Sequence, residues 1–474
     1  MRVKFLLPLA VLASLSAAQA SPVLLAHGSL SATGSDLSGL SAPLENGAAG
    51  NLLGGFGSGI GYAGGGTFLA VPDRGPNAIS FNPLVDDTAS YIDRFQTFKL
   101  QLRPAISGST LPFNLTPVLT ATTLLSSTTP LVYGTGALGT GVSGGNNYTL
   151  GSGVPALNAV NNTNYFTGRS DGFDPSKNSL NPANARLDPE SIRVSNDGKS
   201  VFIPDEYGPS IYQFDRSTGQ RIGAFALPDY FGVQNLSSRG NTEISGNTQG
   251  RLANKGMEGM AITPDGKTLV GAMQSPLIQD GGANSVNLRI VTIDIATGAV
   301  THSYVYKLSD SNNTVSEIVA INDHQFLVDE RDGAGGLSAV TKQLFLVDVS
   351  GATDVKADAT LPANFTPVAK GTQPFLNLLD PAYGLKNADF PPKIEGVAFG
   401  DDIEVNGLTE DTLWITNDND FDGVTANNFY VFGIDPADLR DYQAQAFAAT
   451  PEPRSFVLLA AGLGLLGCVI RPKR

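Results

Sequence analysis

One cysteine occurs among the 474 residues, and it is Cys468, close to the C-terminal end. The rest of the chain can therefore form no disulfide, no cysteine-ligated zinc site and no thiol nucleophile. Three scattered histidines, His27, His302 and His324, are too few and too dispersed for a zinc centre. Charged residues make up only 16% of the chain, and long amphipathic helical stretches are scarce. Basic residues are also short. Outside residues 1–20 and the stretch after 450 there are 24 Lys and Arg against 43 Asp and Glu, a net charge of −19. Such a surface repels nucleic acid and anionic lipid and suits a cation-rich exterior.

What is abundant is turn chemistry. Fifty-four glycines and 29 prolines punctuate short runs rich in Val, Ile, Thr, Tyr and Phe, which reads as all-β. One unit recurs: a glutamate at the head of an apolar strand, a hairpin, and a second strand ending in acid. Pro189-Glu190-Ser191-Ile192-Arg193-Val194 leads through Asn196-Asp197-Gly198-Lys199 to Val201 through Glu206. Met257-Glu258-Gly259-Met260-Ala261-Ile262 leads through Pro264-Asp265-Gly266-Lys267 to Leu269 through Gln274. Ser316-Glu317-Ile318-Val319-Ala320-Ile321 leads to Phe326 through Arg331, and Ile394-Glu395-Gly396-Val397-Ala398-Phe399 to Leu413 through Asp418. A weaker fifth copy pairs Leu37-Ser38-Gly39-Leu40 with Phe68 through Arg74, and residues 41–66 read as loop.

Repeats of this kind predict a β-propeller, with five blades visible and room for a sixth between Asp73 and Asp188. The alternative content of that gap is a pair of long outer strands, Asp93 to Leu102 and Thr116 to Leu125. Further outer strands are expected at Ile211 to Asp215, Leu288 to Asp294, Gln343 to Val349 and Asn428 to Ile434. The glutamates are 68, 59 and 78 residues apart. A four-stranded blade needs about 40 to 50 residues, so long loops are expected between strands. A β-solenoid would have shorter and more regular coils. Pairing of Phe429 to Ile434 with Val23 to Leu30 would close the ring and remove its edges.

The two ends read as processing signals. Arg2 and Lys4, the apolar stretch Phe5 to Leu15 and Ala18-Gln19-Ala20 form a secretory signal over residues 1–20. The domain then runs over residues 21–445. In residues 451–474, Pro451-Glu452-Pro453 precedes the apolar run Phe456 to Ile470 and the basic tip Arg471, Lys473 and Arg474. This order resembles the bacterial PEP-CTERM sorting signal. The resemblance implies export, processing by an exosortase, and a periplasmic, surface or extracellular location with transient or stable inner-membrane attachment. A plain tail anchor is the alternative, although 15 apolar residues are marginal for a span.

In a hairpin the start of the first strand lies beside the end of the second. The repeat therefore predicts that Asp73, Asp188, Glu190, Asp205, Glu206, Glu258, Glu317, Asp329, Glu330, Glu395 and Asp418 gather at one channel mouth. Like charges this close raise one another's pKa, which divalent cations relieve, and all-oxygen sites favour Ca²⁺. Asp418-Asn419-Asp420-Phe421-Asp422-Gly423 matches half of a calcium loop, with Asp418, Asp420 and Asp422 as ligands. Position twelve is Phe429, so it is no EF-hand. The opposing readings are a turn cap or local ion pairing for each acid, and an Asp/Asn-rich surface turn for the loop. Arg74, Lys255, Arg331 and Lys393 lie beside these acids and are the candidate catalytic cations for a phosphoryl group. Gly141-Val142-Ser143-Gly144-Gly145 fits a nucleophile elbow by spacing alone, without the strand-turn-helix context it requires.

Taken together, Val71-Pro72-Asp73-Arg74, Leu187-Asp188-Pro189-Glu190-Ser191, Pro204-Asp205-Glu206-Tyr207-Gly208-Pro209, Lys255 through Ala261, Asp329-Glu330-Arg331 and Ile394 through Ala398 resemble the phytase-like family described as having esterase-like activity of phytase. The resemblance spans about residues 36 to 435. It implies an exported propeller that hydrolyses phosphate esters with calcium. Beyond the resemblance, the chain is expected to act as a monomer on a small phosphorylated substrate, with attack by metal-bound water and no covalent intermediate. Gln274 departs from the pattern where sister repeats carry an acid. The competing class is a non-catalytic, calcium-stabilised surface propeller that binds a matrix polymer or a protein partner.

Overall fold

Short hairpins with self-capping turns build every blade. In Ser195-Asn196-Asp197-Gly198, the Ser195 hydroxyl donates to Asp197 at 2.6 Å and the Asp197 carboxylate accepts from the Lys199 amide at 3.0 Å. Gly198 sits at φ 71°, a conformation that disfavours any side chain. Thr263, Asp265 and Gly266 repeat the arrangement one blade later. The computed structural model describes residues 22–78, 88–129, 163–168, 186–208, 210–237 and 240–448. The signal and tail segments and Gly141 to Gly145 lie outside them.

Five antiparallel sheets follow in chain order. Blade one is Gly59–Tyr62, Thr67–Val71, Arg94–Pro104 and Phe113–Leu124. Blade two is Arg193–Val194, Ser200–Asp205, Ser210–Asp215 and Arg221–Ala226. Blade three is Met257–Ile262, Thr268–Met273, Asn287–Asp294 and Val300–Lys307. Blade four is Thr314–Ala320, Gln325–Arg331 and Lys342–Asp348, with Ala369–Lys370 and Leu376–Asn377 sharing its outer edge. Blade five is Lys393–Phe399, Leu408–Asp418 and Asn427–Ile434, and its outermost strand is the N-terminal Val23–Leu30.

Successive inner strands touch, and that of blade five touches that of blade one, so the ring is closed. The molecule is a five-bladed β-propeller. Its N-terminal strand pairs Val23 with Gly433 and Leu30 with Asn427, the closure expected from sequence. Apolar clusters fill the gaps between blades, so both faces of most sheets are covered. Met257–Ile262 and Asn427–Ile434 are buried at every residue.

The gap between Asp73 and Asp188 holds the outer strands of blade one and no sixth four-stranded sheet among the described residues. The weak fifth repeat is misplaced by the sequence reading. The inner strand of blade one is Gly59–Tyr62, within the stretch read as loop, and Leu37 is exposed. Glycine is required there by close approach. A Cβ on Gly57 would lie 1.9 Å from the Asn417 carbonyl oxygen, and one on Gly59 would lie 2.5 Å from the Ser191 Cα.

Strand direction gives the channel two unlike ends. Inner strands start at one mouth, where second strands finish. At the other, basal end, the C-terminal segment crosses the ring. Gln443 donates its amide to the Ile321 carbonyl at 2.8 Å, Ala446 to Pro264 at 2.9 Å and Ala448 to Asn196 at 2.6 Å. Tyr442 packs on Phe399 and Phe447 on Tyr62, so this strap touches all five blades. Among the described residues no helix is long and apolar enough to cross a membrane.

Candidate active site

The register of the first hairpins decides which side chains reach the mouth. Met257 pairs with Met273 and Gly259 with Ala272, which leaves Glu258 as an extra residue. Val315 pairs with Glu330 and Glu317 with Asp329, which leaves Ser316 in that place. Glu395 follows the Ile394–Asn417 pair, and Glu190 follows the Pro189–Asp205 bridge. These bulges re-aim one side chain in each of blades two to five, and Ser58, before Gly59, takes the corresponding place in blade one. The equivalent residues are thus Ser58, Glu190, Glu258, Ser316 and Glu395. At or just beyond the ends of the second strands, the partner positions are Asp73, Glu206, Gln274, Arg331 and Asp418.

These two rings form a buried, charged mouth. Asp188, Glu190 and Glu206 offer oxygens within 4.8 Å of one another, and so do Asp73, Asp418 and Asp420. Arg74 pairs with Asp188 at 3.0 Å and lies 4.0 Å from Glu206; it also donates to Asn254. Lys393 pairs with Asp418 at 2.6 Å and with Asp420. Arg331 pairs with Glu395 and donates to the Ser316 hydroxyl at 2.7 Å. Lys255 donates to the Gln274 side-chain carbonyl at 3.0 Å. Even so, Glu206 Oε1, Glu258 Oε2 and Glu395 Oε2 are buried and have no hydrogen-bond partner.

Burial sets the protonation of this cluster. It pushes Asp73 up to about 7 against the pull of Lys393 and Arg74. It pushes Glu258 up to about 7, with neighbouring Glu395 adding to the effect. Glu190 and Glu206 are held well above the usual carboxylate range by burial and then by Glu258. Asp418 is raised by burial despite Lys393. For Asp420, burial is outweighed by Lys393, and its pKa falls. A set of buried carboxylates with open oxygens and no His or Cys among them is the donor chemistry of a hard divalent cation.

Several expected site residues stand elsewhere. Glu317 is one residue out of register with Glu258, and a one-residue shift reverses the face a side chain serves. It lies inside the channel, paired with Arg193 at 3.0 Å. It accepts from the Ser191 hydroxyl at 2.8 Å and from the Met260 and Ile318 amides at 2.9 and 3.0 Å. Arg193 donates to the carbonyls of Ile60, Ile192, Ile318 and Val397. This one ion pair therefore touches the inner strands of all five blades and plugs the channel beneath the acids.

Asp205 accepts the Asp188 and Tyr207 amides and so shapes the loop that carries Asp188. Glu330 faces away from the mouth, held by Tyr306, Ser309, Asn313 and Lys370. Asp329 is buried with both oxygens unpartnered and joins neither acid triad. Asp422 caps its own turn through Val424 and Thr425, so the six-residue calcium-loop match divides: Asp418 and Asp420 join Asp73, and Asp422 does not. Sequence reasoning missed Ser58, Ser316, Arg193 and Ser191, which the bulge register would have revealed. It also missed Asp93, fully buried, with both oxygens unpartnered and its pKa raised by burial and then by Asp188.

An uncharacterized secreted protein of Arthroderma benhamiae is 29% identical over 231 residues, covering 40% of this chain and 45% of that protein. The chain thus matches less than half the length of that relative. Among solved structures, Kuenenia stuttgartiensis hydrazine synthase aligns at 15% identity over 77% of this chain and 78% of its own, with a TM-score of 0.31. The Dos1 propeller aligns at 8% identity over 90% and 97%, with a TM-score of 0.28. The family model described as "Phytase-like: Esterase-like activity of phytase" matches residues 51–421, which hold every acid and cation of the mouth, and the chain belongs to that family.

Proposed function

We propose that this chain is an exported hydrolase of phosphate esters that works with divalent cations, Ca²⁺ foremost, held at the propeller mouth. One observation carries the reading: buried carboxylate oxygens without partners converge beside basic side chains at one end of a plugged channel. Asp188, Glu190 and Glu206 would hold one cation, and Asp73, Asp418 and Asp420 another. A cation bound there would neutralise phosphoryl oxygens and acidify water.

The chain's own groups do the rest. Lys255 and Arg331 offer donors to the phosphoryl group, and Arg74 and Lys393 balance the acid triads. Glu258, with one oxygen unpartnered and on neither triad, can accept a proton at neutral pH. The plug denies the site a second entrance, so a small phosphorylated substrate would enter and leave by the mouth. The family description supports ester hydrolysis. Export is supported by the leader-like first twenty residues and by the secreted relative. Processing by an exosortase and attachment through the tail belong to this reading, as does action as a monomer.

A second reading has its own support. Arg74, Arg331 and Lys393 already pair with acids, which suits a calcium-stiffened propeller that binds a matrix polymer or protein partner. Turnover of chromogenic phosphate mono- and diesters, with Ca²⁺ and with EGTA, separates the two. Calcium-dependent turnover is the expected result. Thermal stabilisation by Ca²⁺ without turnover of any ester would leave only the binding module.

A further inference from the structure

The mouth is not symmetric, and the asymmetry follows blade boundaries. Where blades one, two and five present Asp73, Glu206 and Asp418, blades three and four present Gln274 and Arg331. Where blades two, three and five present glutamate, blades one and four present Ser58 and Ser316. Three acidic positions, at Ser58, Gln274 and Ser316, are thus neutral and one, at Arg331, is reversed to a cation; three of these four changes fall on adjacent blades three and four. Acid triads occupy the opposite arc.

Lys255 stands apart among the mouth cations. Arg74, Arg331 and Lys393 each form an ion pair with a carboxylate. Among the described residues Lys255 forms none, and its ammonium donates to the neutral Gln274 carbonyl at 3.0 Å. A glutamine can do here what a glutamate cannot: its carbonyl accepts from Lys255 while its N–H groups remain donors. The Gln274 amide is turned to that second use, since it favours ionised Glu258. Burial lowers the Lys255 pKa; Glu206 and Glu258 favour its charged form, and Arg331 and Lys393 oppose it. Converging cations, one of them an ammonium without a direct ion pair, are the arrangement that receives an anion.

We propose that Lys255, with Arg331 beside it, is the subsite for the dianionic phosphoryl group, and that Gln274 is the positioning residue that keeps this ammonium free of a counter-ion. The inference rests on the hydrolase reading above. Replacing Gln274 with the acid found in the sister blades would fill the subsite with the protein's own carboxylate.

Inorganic phosphate is the probe, added to the full chain with saturating Ca²⁺ and followed by calorimetry and by inhibition of ester turnover. Gln274→Glu and Lys255→Met are each expected to weaken phosphate at least about tenfold, the scale of one charge-assisted hydrogen bond. In Gln274→Glu the loss is expected in KM more than in kcat, with Ca²⁺ affinity equal or tighter. Lys255→Arg is expected to stay within about threefold of the parent, because the charge remains. The calcium-induced rise in Tm reports that each variant is folded. Phosphate affinity unchanged in both Gln274→Glu and Lys255→Met would overturn the subsite and leave the hydrolase reading intact. A parent chain that neither binds phosphate nor turns over any ester would overturn both.

Discussion

Glutamates one position apart along the inner strands live under opposite conditions. Glu317, in the channel plug, meets Arg193, a serine hydroxyl and two backbone amides. Glu258, at the mouth, keeps one buried oxygen without a partner. Burial pushes both up to about 7, so desolvation alone does not distinguish them. The difference lies in what remains for a ligand to do. In the plug every acceptor is used, and the pair links five strands that share no covalent neighbour. At the mouth the protein stops short, and open carboxylate oxygens accumulate where a cation can complete them. Satisfied buried charge holds the ring; unsatisfied buried charge makes the site.

The sharpest way to break this comparison is to halve the plug. Arg193→Met or Glu317→Leu leaves the other charge buried and unpaired, and should cost about 3–5 kcal/mol in denaturant unfolding. The double substitution should cost less than either single one. Equal and small losses in all three would show that the pair does not bind the ring together.

Calcium should act on the mouth alone. At a hundredfold excess over its Kd, one bound Ca²⁺ should stabilise the fold by about 2.7 kcal/mol, seen as a higher Tm that EGTA reverses. Plug variants that still fold should keep this response. A rise in Tm that survives loss of the mouth carboxylates Asp73 and Glu190 would place the cation elsewhere.

Protonation sharpens the contrast further. Asp73 and Glu258 retain protons to about pH 7 in the folded chain, whereas unfolded carboxyls release them near pH 4. Between those values the native state binds more protons, so metal-free stability should fall as pH rises, and level off above about 7. Glu258→Gln should flatten part of that slope and stabilise the metal-free protein at pH 8, while lowering turnover. Saturating Ca²⁺ should remove the share of the slope due to Asp73 and leave that due to Glu317 in the plug. A metal-free stability that rises across this window would contradict the assigned protonation.

The smallest effect is expected at Asp422. Its oxygens cap an exposed turn, so Asp422→Ala should cost no more than about 1 kcal/mol and leave the calcium midpoint unchanged. A shifted midpoint would restore the whole loop as a ligand set.

Much of the fold was legible in the sequence because the repeat is local. Asn196-Asp197-Gly198 and Pro264-Asp265-Gly266 announce hairpins, and alternating apolar runs announce strands; the third strand of every blade and the fourth of blade one fall within three residues of their expected limits. Blade one was hidden because Gly59-Ile60-Gly61-Tyr62 has almost no apolar signature. Its glycines answer to Ser191 and Ile192 of the next blade, which a local reading does not see. The site was legible as a set of acids but not as an arrangement. Asp205, Glu206, Asp329, Glu330 and Glu317 all carry the right chemistry, and only the pairing register sorts those that face the mouth from those that face a neighbouring blade.

By itself, then, the order of residues determined a closed ring of small hairpins, the surplus of acid within it, and the absence of thiol chemistry, since each follows from local turn geometry or from composition. The tertiary structure alone decided that Glu317 seals the channel while Glu258 lines its opening. The physical reason is that a β-bulge rotates a side chain by one pleat face, and whether a buried carboxylate is then neutralised or left open depends on groups contributed by strands distant in sequence.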